Sequence, residues 1–228
     1  MLNFFKHMLL ITTVVLVSCS DRPLNNPYSN TEESNNTFYS SFQERPKHLD
    51  PVKSYSSNEY AFIAQIYEPL FQYHYLKKPY ELIPLTAKEM PEVHYLDKNF
   101  NKTLDKDNIY YSKYILKIKK NISYQNHPAF YKKKDNYIYH NLSKKELKKI
   151  NTLKDFENES TRELISDDYI YQIKRLADSK NHSPISGVMK EYIYGFTEYK
   201  NKLNKIELNS KNARIDFIKS NNIFGVKK

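Results

Sequence analysis

The chain has 228 residues, 39% of them hydrophobic and 27% charged, and its 36 Lys and Arg against 26 Asp and Glu leave a formal net charge of +10. That balance excludes a disordered chain and one buried mostly in a bilayer, and it leaves room for one ordinary domain or an incomplete piece of something larger. The 3 Gly exclude a glycine-rich phosphate loop, and the 1 Cys excludes an intramolecular disulfide.

The first element is apolar. Met1 to Ser18 has the plan of a secretory signal: Lys6 and His7 form a short positive start, and Met8 to Val17 is an uncharged apolar run. The run is too short for the ~20 residues that cross a bilayer as a helix. It ends at Leu16-Val17-Ser18-Cys19, which resembles the bacterial lipobox, where a cysteine thiol receives a diacylglycerol. Cys19 is therefore the expected lipidation site. Residues 19–36 carry Pro23, Pro27 and five Asn, the composition of a flexible tether. Removing the signal takes away Lys6 and no acid, so the mature charge falls from +10 to +9.

Thr37 to Phe42 alternates around aromatic residues and suits a short strand. Glu44 to Pro51 holds two prolines and predicts an irregular turn. Ser56 and Glu59 have capping-box spacing, and Phe62, Ile63, Ile66, Tyr67 and Leu70 recur at helical spacing, which predicts a helix from Asn58 to Glu68. Pro69 marks its end. Tyr110 to Lys119 alternates, with Tyr114, Leu116 and Ile118 on the expected buried side and Lys113, Lys117 and Lys119 in water.

Asn121 to Leu153 is a polar, lysine-rich surface excursion in which Ser143 to Ile150 suits one short helix. Ser166 is placed to cap a further helix, with Asp167 and Asp168 in its first turn and Lys174 and Arg175 near its last, as the helix dipole favours. Ser183-Pro184 predicts another helix start, with Val188, Met189, Tyr192, Ile193 and Phe196 as its buried face. There is no internal repeat.

Signals for catalysis are absent. His48, His74, His94, His127, His140 and His182 are scattered without metal-ligand spacing, and the Asp167-Asp168 pair is explained by its place at a helix start. No enzyme, cofactor or metal is expected. The lysines are spread along the chain among acids, so the expectation is a solvated basic surface and no nucleic-acid partner.

Two segments resemble the extracellular solute-binding protein family 5, the peptide-binding proteins of ABC importers. The first is Leu49-Asp50-Pro51, Ser57-Asn58-Glu59, Gln65-Ile66-Tyr67-Glu68-Pro69-Leu70 and Pro79 to Ala87. The second runs from Thr161 to Tyr171 through Lys174-Arg175-Leu176-Ala177-Asp178 to Ser183-Pro184. Between them, Tyr114 to Asn121 resembles the family strand before an aromatic turn, with Tyr124 at the aromatic position.

The resemblance covers Phe38 to Phe196, an N-terminal portion only. It implies an α/β chain carrying an incomplete lobe of a two-lobed, periplasmic-binding-protein-like (type II) fold, spanning residues 37–200. Residues 201–228 depart from the family as a divergent polar C-terminal tail, so the expected product is a truncated or split member. The implied role is the substrate-binding lipoprotein of a peptide-uptake ABC transporter, lipid-anchored in the bacterial cell envelope and facing the periplasm. Its implied partners are a peptide ligand, an ABC permease in the inner membrane, and the membrane itself through the anchor. Tyr55, Ser56 and Ser57 match the family loop whose backbone pairs with bound peptide. The alternative is an envelope lipoprotein with a structural or interaction role and no ligand.

Overall fold

Helices come mainly from the segments with helical apolar spacing, and strands from the aromatic-rich ones between them. The computed structural model describes residues 41–207 and 210–228. Cys19, the signal 1–18, the tether and most of the strand expected at Thr37 to Phe42 lie outside the described residues. Glu44–Lys228 forms one unit. It is a mixed helix-and-sheet chain of the α/β class, and no helix among the described residues is long and apolar enough to cross a membrane.

After an irregular turn at 44–51, helix α1 runs Ser57–Ile66. The expected capping box is not formed: the Ser56 side chain caps no helix N–H. Glu59 turns backward instead and accepts from the N–H groups of Lys47 and His48, at 3.0 and 2.8 Å, and from Ser54 Oγ at 2.8 Å. Bracing the preceding turn satisfies more donors than a reciprocal cap would.

Strands β1 (Phe71–Tyr73) and β2 (Leu82–Pro84) pair antiparallel, as do β3 (Glu92–Leu96) and β4 (Tyr111–Ile115), with Glu92 opposite Ile115 and Leu96 opposite Tyr111. The two hairpins are joined where Ala87 bridges Ile118. On β4 the expected burial is corrected. Tyr111 and Ile115 are half-buried and Tyr114 and Leu116 are exposed, although Ile118 is half-buried as expected. The strand ends at Ile115, and the break in alternation before Ile118 exchanges the two faces.

The excursion closes on itself at its base, where His127 and Ser160 exchange both backbone hydrogen bonds. It holds the small β5 (Lys132–Lys133) and β6 (Asn136–Tyr137) pair and helix α2 (Lys144–Leu147), which does have its capping box from Ser143 and Glu146.

Helix α3 (Ser166–Leu176) begins with Ile165 at its cap, so Ser166 is its first helical residue and not the cap. Helix α4 (Ser186–Tyr192) likewise starts after Ser183-Pro184, whose residues form a turn before it. Gly195, at φ +78°, then restarts the chain as α5 (Phe196–Asn204), and α6 (Lys211–Ser220) follows. That restart separates Tyr192, left 80% exposed, from Phe196, which is fully buried.

The core lies among these helices: α3 packs on α6, α4 on α5, and α5 on α6. It joins Leu176, Phe196, Tyr199, Leu203, Ile218 and Ile223 to Val52 from the turn before α1. Residues 201–228, read from sequence as a polar tail, therefore supply Leu203, Ile218 and Ile223 to the core. Each such side chain gains about 1.5–3 kcal/mol from burial.

Candidate functional site

Three separate contacts join the segments that carry the resemblance. Asp50, in the Leu49-Asp50-Pro51 turn, receives both arms of the Arg175 guanidinium from α3, at 3.1 and 2.5 Å. Asp50 Oδ1 also accepts the Val52 N–H at 3.1 Å, so the carboxylate shapes the turn and ties it to a helix 125 residues away. Partial burial pulls the Asp50 pKa up, but the Arg175 guanidinium and the Val52 N–H outweigh it and hold the carboxyl below its usual range.

The second contact links Thr86 to Tyr169 of α3, whose hydroxyls lie 2.6 Å apart. The carbonyls of Glu68 and Pro69 lie within reach as acceptors, at 3.1 Å from Tyr169 and 3.0 Å from Thr86. The end of the first resemblance segment is thus fastened to the second.

The third sets an arginine against two rings whose centres are themselves 5.2 Å apart. Arg162 places its guanidinium 4.7 Å from the Tyr124 ring centre and 5.3 Å from that of Phe130, and it donates to both oxygens of Asp168, at 2.9 and 2.5 Å. Asp168 Oδ2 also accepts from Ile165 N–H at 3.0 Å, the helix-start role expected for this residue. Asp167 instead pairs with Lys228 at 2.7 Å. Burial, then the Asp168 charge, pushes the Tyr124 phenol up to about 12, so it stays a neutral donor. A cleft of about 350 Å³ opens beside Arg162, bordered by Phe130, Lys132, Tyr137 and Glu159.

The three residues expected from sequence to meet peptide are elsewhere. Tyr55 is 79% exposed, Ser56 and Ser57 are also exposed, and none of the three borders the cleft. Their loop is held from behind by Glu59. The Ser54 hydroxyl, then the His48 N–H and the neighbouring Ser56 and Tyr55 groups, outweigh burial and hold the Glu59 carboxyl at about 2. The arrangement presents three exposed residues on a braced turn, with the Ser56 carbonyl taken by the Tyr60 N–H at 3.0 Å and Ser57 already the first residue of α1.

The histidines remain dispersed, and among the described residues no group of three His, Cys, Asp or Glu could hold a metal. His127 Nδ1 accepts from Ala129 N–H, and the His140 ring stacks on Tyr137 with centres 4.2 Å apart.

Sequence reading missed a further cluster. Phe100, Tyr111, Tyr194 and Phe224 form a continuous set of ring contacts at 4.7 to 5.6 Å, and Tyr110 joins through Tyr111 at 4.8 Å. Two of the 3 Gly make it. A Cβ on Gly195 would stand 2.8 Å from Phe224 Cβ, and one on Gly225 would stand 2.6 Å from the Tyr194 carbonyl oxygen. Gly225 N–H donates to that same oxygen at 2.9 Å. The paired Tyr194-Gly195 and Phe224-Gly225 steps were the only signal in the sequence, and they lie too far apart to be read as a pair.

No family model, curated protein or solved structure matches the chain.

Proposed function

We propose that this chain is the N-terminal portion of a substrate-binding lipoprotein of a peptide-uptake ABC transporter. It is anchored through Cys19 in the bacterial cell envelope, faces the periplasm, and carries part of one lobe of a type II periplasmic-binding-protein-like fold. The contact that carries this reading is the Asp50–Arg175 pair, seconded by Thr86–Tyr169. Segments that resemble one family separately in sequence are neighbours in space, as pieces of one lobe must be. In this reading the exposed loop of Tyr55, Ser56 and Ser57 is where an extended peptide makes contact. A permease in the inner membrane takes the peptide onward.

One observation favours a second reading, an envelope lipoprotein with a structural or interaction role and no ligand. Phe196, where a second lobe would begin in the family, is fully buried in a core that includes Ile218 and Ile223.

Two measurements in the host separate them. A fatty-acid probe should label the wild type and not Cys19→Ser; equal labelling of both contradicts the anchor in either reading. Deleting the gene should reduce uptake of labelled peptides, with recovery from the wild-type copy. Unchanged uptake, with Cys19 still acylated, favours the second reading.

A further inference from the structure

The five-ring cluster of Phe100, Tyr110, Tyr111, Tyr194 and Phe224 is only half covered. Tyr110 is 58% exposed and Phe224 53%, and Phe100 and Tyr194 are exposed as well. Two cations lie over its outer rings: Lys98 Nζ is 5.5 Å from the Tyr110 ring centre and Lys227 Nζ 4.7 Å from that of Phe224. Asp97, the acid nearest in sequence on that loop, is turned to its own backbone, accepting from Asn99 and Asn101 N–H at 2.8 and 2.9 Å. The result is an apolar, aromatic face edged by lysines.

We propose that this face rests on the anionic phospholipid surface of a membrane. Tyrosine and phenylalanine rings suit the boundary between acyl chains and headgroups, where the ring body is apolar and the phenol remains wet. Lysines beside them meet lipid phosphates, and the chain's net charge, +10 in full and +9 without the signal, adds a favourable long-range field. A membrane is also near. Cys19 precedes Ser41 by 22 residues, which bounds their separation at about 75 Å. Only this nearness rests on the lipid-anchored reading; the face itself does not. Contact would hold the unit close to the bilayer with one face down, leaving the tether to limit its range.

The chain has no Trp, so one introduced tryptophan reports its own position. The full chain carrying Tyr110→Trp is reconstituted on equimolar phosphatidylglycerol and phosphatidylcholine vesicles, and separately on phosphatidylcholine alone. On the anionic vesicles its emission should shift to the blue and be quenched by brominated acyl chains. Tyr60→Trp, which replaces a 67% exposed tyrosine on α1, should remain unquenched in the same vesicles. Lys98→Ala and Lys227→Ala should each weaken the contact about fivefold. Raising salt to 1 M, where the Debye length falls to about 3 Å, should weaken it further. Equal quenching of the tryptophans at 110 and 60, equal quenching on neutral vesicles, or no quenching of vesicle-bound chain overturns the proposal. Fatty-acid labelling at Cys19 is read separately. A labelled chain with an unquenched tryptophan at 110 contradicts this inference and leaves the anchor intact. Quenching without labelling supports the face and contradicts the anchor.

Discussion

Arg214 of α6 reaches back to Asp178, just past the end of α3, and the two form an ion pair with 2% and 9% of their side chains exposed. The same guanidinium donates to the Leu203 and Ile206 carbonyls, at 3.0 and 2.7 Å, where α5 ends. One residue therefore joins three helices beneath the core residues Leu203 and Ile218. Removing it leaves Asp178 buried and charged with its cationic partner gone.

Arg214→Ala should accordingly cost about 3–5 kcal/mol, the usual result of deleting one member of a buried pair. The check is the urea midpoint of the full chain. An exposed pair such as Lys77–Glu81, at 2.7 Å, should show a change of no more than about 1 kcal/mol for Lys77→Ala. Equal small losses at both sites would mean that 201–228 adds little to the fold.

Acid should loosen the turn before α1. Glu59 has its pKa depressed to about 2 from an ordinary 4.5, so the unfolded chain binds its proton first as pH falls. Its contribution is complete above about 4.5 and is lost as pH drops toward about 2. Asp50 and Asp168, also lowered, act in the same direction below their ordinary 3.8. Glu59→Gln should flatten the dependence of the thermal midpoint on pH within that window. An unchanged slope would show that the bonds to Lys47, His48 and Ser54 are not maintained in solution.

The glycines divide sharply. Gly225→Ala places a methyl 2.6 Å from the Tyr194 carbonyl, against backbone that cannot yield easily, and should cost about 1–3 kcal/mol. It should also weaken the near-ultraviolet dichroism of the packed tyrosines. Gly187, inside α4, has nothing within 4 Å of a built Cβ, so Gly187→Ala should stabilise the chain by about 0.5–1 kcal/mol. Thermal melts of the two variants should shift in opposite directions.

Periodicity made α1 and α3 legible as helices, and α3 carries its acids in the first turn and its bases in the last; on α1 only Ile63 of the expected apolar stripe is buried, and Ile66 is 56% exposed. The β3 strand was not legible: only His94 and Leu96 of Glu92–Leu96 are half-buried, too weak an alternation to stand out. The face assigned to Ser183–Phe196 failed for a local reason. The helix ends at Tyr192, where Ile193 is extended, and Gly195 caps a new one, so Tyr192 and Phe196 do not share a stripe despite their spacing. In 201–228 the core residues are thinly spaced among polar ones, and the buried Arg214 there depends on a carboxylate 36 residues earlier. Such a charge looks solvent-facing until its partner is known. The Asp50–Arg175 tie was equally invisible as a contact, although both residues stood within the segments that suggested a lobe.

Photolabelling in intact host cells asks whether peptide meets the chain at Tyr55–Ser57. Cells are given peptides that carry a diazirine and are illuminated, and adducts on this chain are located by mass spectrometry. Adducts should concentrate at Tyr55, Ser56 and Ser57 and be suppressed by excess unlabelled peptide, with Tyr192, 80% exposed but far in sequence from that loop, unmodified. Adducts spread equally over Tyr192 and Tyr55, or none at Tyr55–Ser57, would contradict peptide contact there.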